Sequence, residues 1–197
     1  MATLSGTPLD IEGAEISLVP DAFQNPHDLF RRIDAEADWR RENIKLFGRT
    51  HAMPRLTCWM GDAAYRYSGL THPPAPFTPA VGEILQAVQK LSGARFNGVL
   101  LNQYRDGGDS MGWHADDEAS LGPAPVIASV SLGGVRRMRF KPKPHFTAEP
   151  FALDLPSGSM LVMRGATQAN WLHAVPKTAK PVAPRINLTF RMIVDEV

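Results

Sequence analysis

The chain has 197 residues, 44% hydrophobic and 21% charged, which excludes a disordered or collagen-like polymer and is enough for one domain with its own core. Its 16 Gly and 17 Pro exceed ordinary usage of about 12% for the pair and favour short strands and turns over a helix bundle. Lys+Arg is 21 against 20 Asp+Glu, a net +1, so a basic surface would have to come from uneven placement, and the single cysteine, Cys58, excludes an internal disulfide and fits a reducing compartment.

Asp10 and Glu12 precede any basic residue, which argues against a secretory signal. No stretch approaches the ~18 apolar residues of a membrane span. The expected protein is soluble, cytoplasmic and monomeric. A strand is predicted near Ala14–Val19. Asn25-Pro26 reads as an N-cap and first turn, and Leu29, Phe30 and Ile33 give the next helix an apolar face. Thr78-Pro79 repeats the signal. Val81, Ile84, Leu85, Val88 and Leu91 then recur at helical spacing until Gly93. Beyond Gly93 the period drops to two. Phe96–Tyr104, Val126–Leu132, Arg136–Lys141, Phe151–Leu155, Ser159–Met163 and Ile186–Val194 are predicted strands, separated by Gly and Pro turns. The fold class is therefore α+β, mainly β: a sandwich or jelly-roll core with N-terminal helices packed on it.

Gly112-Trp113-His114-Ala115-Asp116 sets His114 and Asp116 two residues apart, on one face of an extended backbone. His173 follows far downstream, after Trp171 and before Pro176. Two His and one carboxylate compose the facial triad of non-haem Fe(II) oxygenases, although such a set also arises by chance. From Arg185 to Arg191 the chain alternates, with Ile186, Leu188 and Phe190 on one face and Arg185, Asn187, Thr189 and Arg191 on the other. A strand with a solvated outer face alternates in the same way. Two arginines beside Asn and Thr also make a fork of donors suited to a small dicarboxylate. Asn102 and Tyr104 would add an amide and a phenol.

The runs "LNQYRDGGDSMGWHADDE", "IASVSLGG", "SGSMLVMRGATQANWLHAVP" and "PRINLTFRMI" together resemble the AlkB family of 2-oxoglutarate- and iron-dependent dioxygenases over roughly 45–194, closest to its duplex-DNA-preferring members. The resemblance implies a double-stranded β-helix, that is, a jelly-roll core. It implies one dioxygenase domain over 1–197, with about 1–92 as N-terminal extension and nucleotide-recognition region and about 93–197 as catalytic core. His114, Asp116 and His173 match the ligands of Fe(II). Asn102 and Tyr104 match residues that bind the co-substrate 2-oxoglutarate, and Arg185 and Arg191 match the arginines at its two carboxylates, with Asn187 and Thr189 beside them. The implied reaction consumes dioxygen and 2-oxoglutarate. It gives succinate and carbon dioxide, and hydroxylates a methyl group on a nucleobase nitrogen, which leaves as formaldehyde.

A base inside a duplex is inaccessible, so such an enzyme extrudes it or takes single strands. Within the resemblance, Tyr67 is the stacking platform for the base, with Tyr65 and Ser68 as polar neighbours; a pair of half-buried strand tyrosines is the ordinary alternative. The tip Leu46-Phe47-Gly48-Arg49 resembles an intercalating hairpin whose apolar wedge offsets an unstacking cost of roughly a few kcal/mol; alternatively Phe47 packs inward. Arg55 matches a substrate-side position. Asp117 and Glu118 match acids that accept hydrogen bonds from the exocyclic amine of a damaged base; solvated carboxylates after a turn are the ordinary alternative. Arg136, Arg137, Arg139, Lys141 and Lys143, with Lys177 and Lys180, form either a solvated charged face, the ordinary case for such a run, or a positive groove. The expected partner is alkylated DNA, duplex favoured. RNA or single strands are the alternative, and a non-catalytic nucleic-acid-binding jelly roll is a further one.

Overall fold

Period-two patterning with frequent turns requires sheets that bury one face each, and two such sheets face each other here. The computed structural model describes residues 6–46, 49–67 and 70–194, with the backbone alone at 44–46, 49–50, 66–67 and 70. In chain order the elements are β1 (Thr7–Leu9), β2 (Glu15–Val19), α1 (Pro26–Glu36), β3 (Asn43–Leu46), β4 (Arg49–Ala52), β5 (Leu56–Gly61), β6 (Tyr65–Tyr67), β7 (Leu70–His72), α2 (Pro79–Ser92) and β8 (Gly98–Tyr104). They continue as β9 (Met111–His114), β10 (Ile127–Gly133), β11 (Arg136–Pro142), β12 (Phe151–Leu155), β13 (Ser159–Arg164), α3 (Thr167–Asn170), β14 (Trp171–Val175) and β15 (Arg185–Arg191).

The major sheet has the order β1-β2-β13-β10-β15-β8-β5, and the minor sheet β12-β11-β14-β9. Their pairings are antiparallel. This is the expected jelly roll. Separate hairpins form from β3-β4 and β6-β7. Alternation sorts the major sheet's side chains. Val99, Leu101, Val130, Val162, Ile186, Leu188 and Phe190 pack beneath Leu29 and Ile33 of α1 and Val81, Ile84 and Val88 of α2. Leu100, Ile127, Leu161 and Met163 point the other way, towards Met138, Phe140, Leu155 and Trp171 of the minor sheet. The triad candidates His114, Asp116 and His173 lie in this second layer.

Both helices start at their predicted prolines, but neither uses a side-chain cap from the preceding residue. Asn25 adopts a left-handed φ of 52°, and its carbonyl receives Asp28 N and Leu29 N. The α2 amide of Ala80 donates instead to Glu36 Oε2 at 2.9 Å, so the end of α1 caps α2. Gly93 ends α2 at φ 67°, where a side chain would be strained. β5, β9 and β14 were not among the predicted strands. β5 is buried on nearly every residue, which erases its alternation, and β9 and β14 are short and each carries a polar residue, His114 or His173. No helix among the described residues is long and apolar enough to cross a membrane.

Candidate active site

β9 and β14 are neighbours in the minor sheet, in a register that sets His114 opposite His173. The imidazole centroids are 4.2 Å apart. Asp116 lies just past β9, and its Oδ2 is 3.5 Å from His173 Nε2. One donor atom from each of the three residues lies within 4.8 Å of the others. His114 Nδ1 donates to the Gly112 carbonyl at 2.9 Å, which leaves the Nε2 lone pair free for a metal. Burial, and then neighbouring His173, pull the His114 pKa down to about 3, so the ring is neutral near pH 7, the form a ligand needs. Burial pushes the Asp116 carboxyl upward, but the Arg191 guanidinium and His173 outweigh it and hold the group well below the usual carboxylate range. Asp116 N donates to Gln168 Oε1 at 2.9 Å. Gln168, buried in α3, thus anchors the backbone of a candidate metal ligand, and no motif in the sequence pointed to it. Two imidazoles and a fixed carboxylate fit a divalent ion of the iron type.

The polar face of β15 is buried rather than solvated: Arg185 and Arg191 are each 1% exposed. Their environments differ. Arg191 binds Asp116 Oδ1 through Nε at 3.1 Å and through Nη2, and its Nη1 donates to the Thr189 carbonyl at 3.2 Å. Arg185 Nη2 donates to Ser131 Oγ at 2.9 Å. Its Nε and Nη1 are buried with no hydrogen-bond partner among the described residues. A buried guanidinium without a carboxylate is costly, and an anionic ligand would relieve that cost. Tyr104 lies between two cations, 5.2 Å from Arg185 and 5.4 Å from Arg136 to the ring centroid. Asn187 Nδ2 donates to Ser129 Oγ at 2.8 Å and to the Val130 carbonyl at 2.9 Å, and Thr189 Oγ1 donates to Asn187 Oδ1 at 3.1 Å. The triad, both arginines, Asn102, Tyr104, Asn187 and Thr189 line one cavity.

The remaining candidates separate. Arg55 is buried, and its Nε donates to Asn102 Oδ1 at 2.6 Å. Tyr65 is buried, stacked on Trp59 at 4.5 Å between centroids, with Arg191 5.3 Å from its ring. Its hydroxyl donates to Glu118 Oε1 at 3.1 Å. Burial raises the Glu118 carboxyl against the opposing pull of Arg191. Glu118 therefore adjoins the Arg191–Asp116 pair, whereas Asp117 is exposed and paired with Lys143 at 2.7 Å. Phe47, Gly48 and Ser68 lie outside the described residues, and for Arg49 and Tyr67 the backbone alone is described, in β4 and β6.

The seven-cation groove needs correction. Arg136 faces inward because its parity on β11 matches Met138 and Phe140, and it donates to the carbonyls of Asp106, Asp109 and Pro176 at 3.1, 2.8 and 2.7 Å. Arg137 is paired with Asp154, and Lys143 with Asp117. Arg139, Lys177 and Lys180 stay exposed.

Residues 18–191 match the model of the 2OG-Fe(II) oxygenase superfamily. A relative from Arabidopsis thaliana, named DNA oxidative demethylase ALKBH2, is 40% identical over 200 residues; the match covers 87% of this chain and 63% of the relative's length. A relative from Mus musculus, named alpha-ketoglutarate-dependent dioxygenase alkB homolog 3, is 43% identical over 206 residues, covering 94% of this chain and 72% of the relative. A solved structure titled as that of OsALKBH1 superposes with a TM-score of 0.61 at 20% identity, over 95% of this chain and 99% of the other, a likeness of fold.

Proposed function

The chain belongs to the 2OG-Fe(II) oxygenase superfamily, and on that premise we propose that it oxidatively removes alkyl groups from nucleobase nitrogens in DNA, a direct-reversal repair. One observation carries the reading: a His-Asp-His triad shares a cavity with a buried guanidinium that has two unpartnered arms.

His114, Asp116 and His173 would hold Fe(II). Arg185 would grip a carboxylate of 2-oxoglutarate through Nε and Nη1, with Tyr104 against its plane. When bound, Fe(II), 2-oxoglutarate and dioxygen supply the oxidant that hydroxylates the alkyl carbon, after which a methyl group leaves as formaldehyde. Arg191 fixes Asp116 from behind, so one carboxylate oxygen is committed to the guanidinium and the other faces His173. Tyr65 and Glu118 extend this network towards the substrate side, where Glu118 would accept a hydrogen bond from an exocyclic amine. Tyr67 would be the stacking platform. A buried sole thiol, Cys58, fits the reducing cytoplasm as the compartment.

The finer substrate reading is duplex DNA, supported by the resemblance of the sequence run Leu46-Phe47-Gly48-Arg49 to an intercalating hairpin. Phe47→Ala is expected to slow turnover on a methylated duplex several-fold more than on the matching single strand. Equal loss on both would discard the wedge. The central test is mass spectrometry of a methylated oligonucleotide after incubation with Fe(II), ascorbate and 2-oxoglutarate. Loss of the methyl group with formaldehyde release is expected, and His173→Ala is expected to remove both while the protein still melts cooperatively. An oligonucleotide of unchanged mass sinks the reading.

A further inference from the structure

Among the described residues, Trp113 is the one large aromatic side chain left exposed, at 44%. It precedes His114 on β9, so the pleat turns the indole outward while the imidazole faces the cavity. Lys141 Nζ lies 4.7 Å from the indole centroid. Trp113, Arg139 and Lys177 line one hollow on this outer face, and Arg139 and Lys177 also line the adjoining hollow, together with Arg137 and Lys180. The acid lining these hollows is Asp154, already bound to Arg137 by two hydrogen bonds of 2.8 and 2.7 Å. Met111 lines both the Trp113 hollow and the catalytic cavity, so the groove starts beside the site.

An exposed indole beside a row of cations that outnumber the one acid among them matches a strand that offers both anionic phosphates and free base faces. A phosphate polymer without bases would leave the indole unused. A closed duplex stacks its base faces on one another and hides them. We infer that this groove binds the unpaired strand flanking the target nucleotide, with one neighbouring base stacked on Trp113 and its phosphates at Arg139, Lys177 and Lys180. The inference rests on the demethylase reading for its ligand and adds a subsite outside the cavity. A duplex would engage it only where the strand opens beside the extruded base.

The test is binding of unmethylated oligo(dT) of about a dozen nucleotides, followed by tryptophan fluorescence and without turnover. Wild-type fluorescence is quenched. Trp113→Ala weakens binding about tenfold and loses the quench, whereas Trp113→Phe keeps most of the affinity because a stacking face remains. Arg139→Gln lowers the slope of log affinity against log salt by about 0.7, one phosphate on a single strand. Heparin, an anion without bases, is expected to bind Trp113→Ala as it binds wild type. Oligo(dT) affinity indifferent to Trp113→Ala, or heparin affinity that falls with it, overturns the inference. Trp113-dependent binding of oligo(dT) by a protein that releases no formaldehyde from any methylated strand would overturn the demethylase reading and leave the groove standing.

Discussion

Arg185 and Arg191 occupy equivalent positions on one strand face, and their partners set them apart. Arg191 already has an anion in Asp116, whereas Arg185, which also lines the cavity, is left with two unpartnered donors. Arg185→Lys should therefore weaken 2-oxoglutarate binding about a hundredfold by calorimetry, because a single ammonium cannot reproduce a two-donor grip. Metal binding in that variant should change little. His114 allows a second prediction, on pH. Its folded pKa, about 3, lies below the ordinary 6.5, so between those values the unfolded chain takes up a proton that the folded ring refuses. Stability from this residue is thus fully present above about pH 6.5 and is lost as the pH falls towards 3. The melting temperature of metal-free protein should drop more between pH 7 and 5 in wild type than in His114→Gln. The spacing of His114 and Asp116 and the alternation of β15 were legible in the sequence because both are local periodicities. The Gln168 contact to Asp116, the Ser131 contact to Arg185 and the inward turn of Arg136 depend on partners distant in the chain, and no local pattern reports them.

At the level of elements, the strands bounded by Gly and Pro turns in the C-terminal half were readable even where both faces are buried, as in β8, β10, β13 and β15, whereas β5, β9 and β14 were not. β5 is the clearest case, since its register against β8 sets Gly61 opposite Gly98 and lets the Trp59 ring lie over that gap. A Cβ on Gly98 would fall 2.3 Å from the Trp59 ring, which stacks with Tyr65. Gly98→Ala should therefore cost about 1–3 kcal/mol in chemical denaturation, as overpacking does. The displaced Trp59 should also disturb the Tyr65–Glu118 contact, so KM for the methylated strand should rise with the stability loss. The capping of α2 by Glu36 belongs to this level as well: Asn25 and Thr78 marked the helix starts correctly, while the group that satisfies an α2 amide came from the neighbouring helix.

For the whole molecule, both sheets contribute to one cavity: the triad hangs from the minor sheet and the arginines from the major one. A ligand bridging them should hold the sandwich closed. At a hundred times its dissociation constant a single ligand adds about 2.7 kcal/mol of stability. With Mn(II) in place of iron, 2-oxoglutarate should raise the melting temperature by about 5–10 °C in a chain of this size, and Arg185→Ala should abolish the increment that 2-oxoglutarate adds over metal alone. The His114–His173 pairing reaches further still. The chain must lay down β10 to β13 before β14 can dock against β9, and a slip of one residue would bring Leu172 or Ala174 to face His114. A chain that has not yet docked β14, or has docked it out of step, would therefore lack a complete metal site, since the two imidazoles meet only in this register.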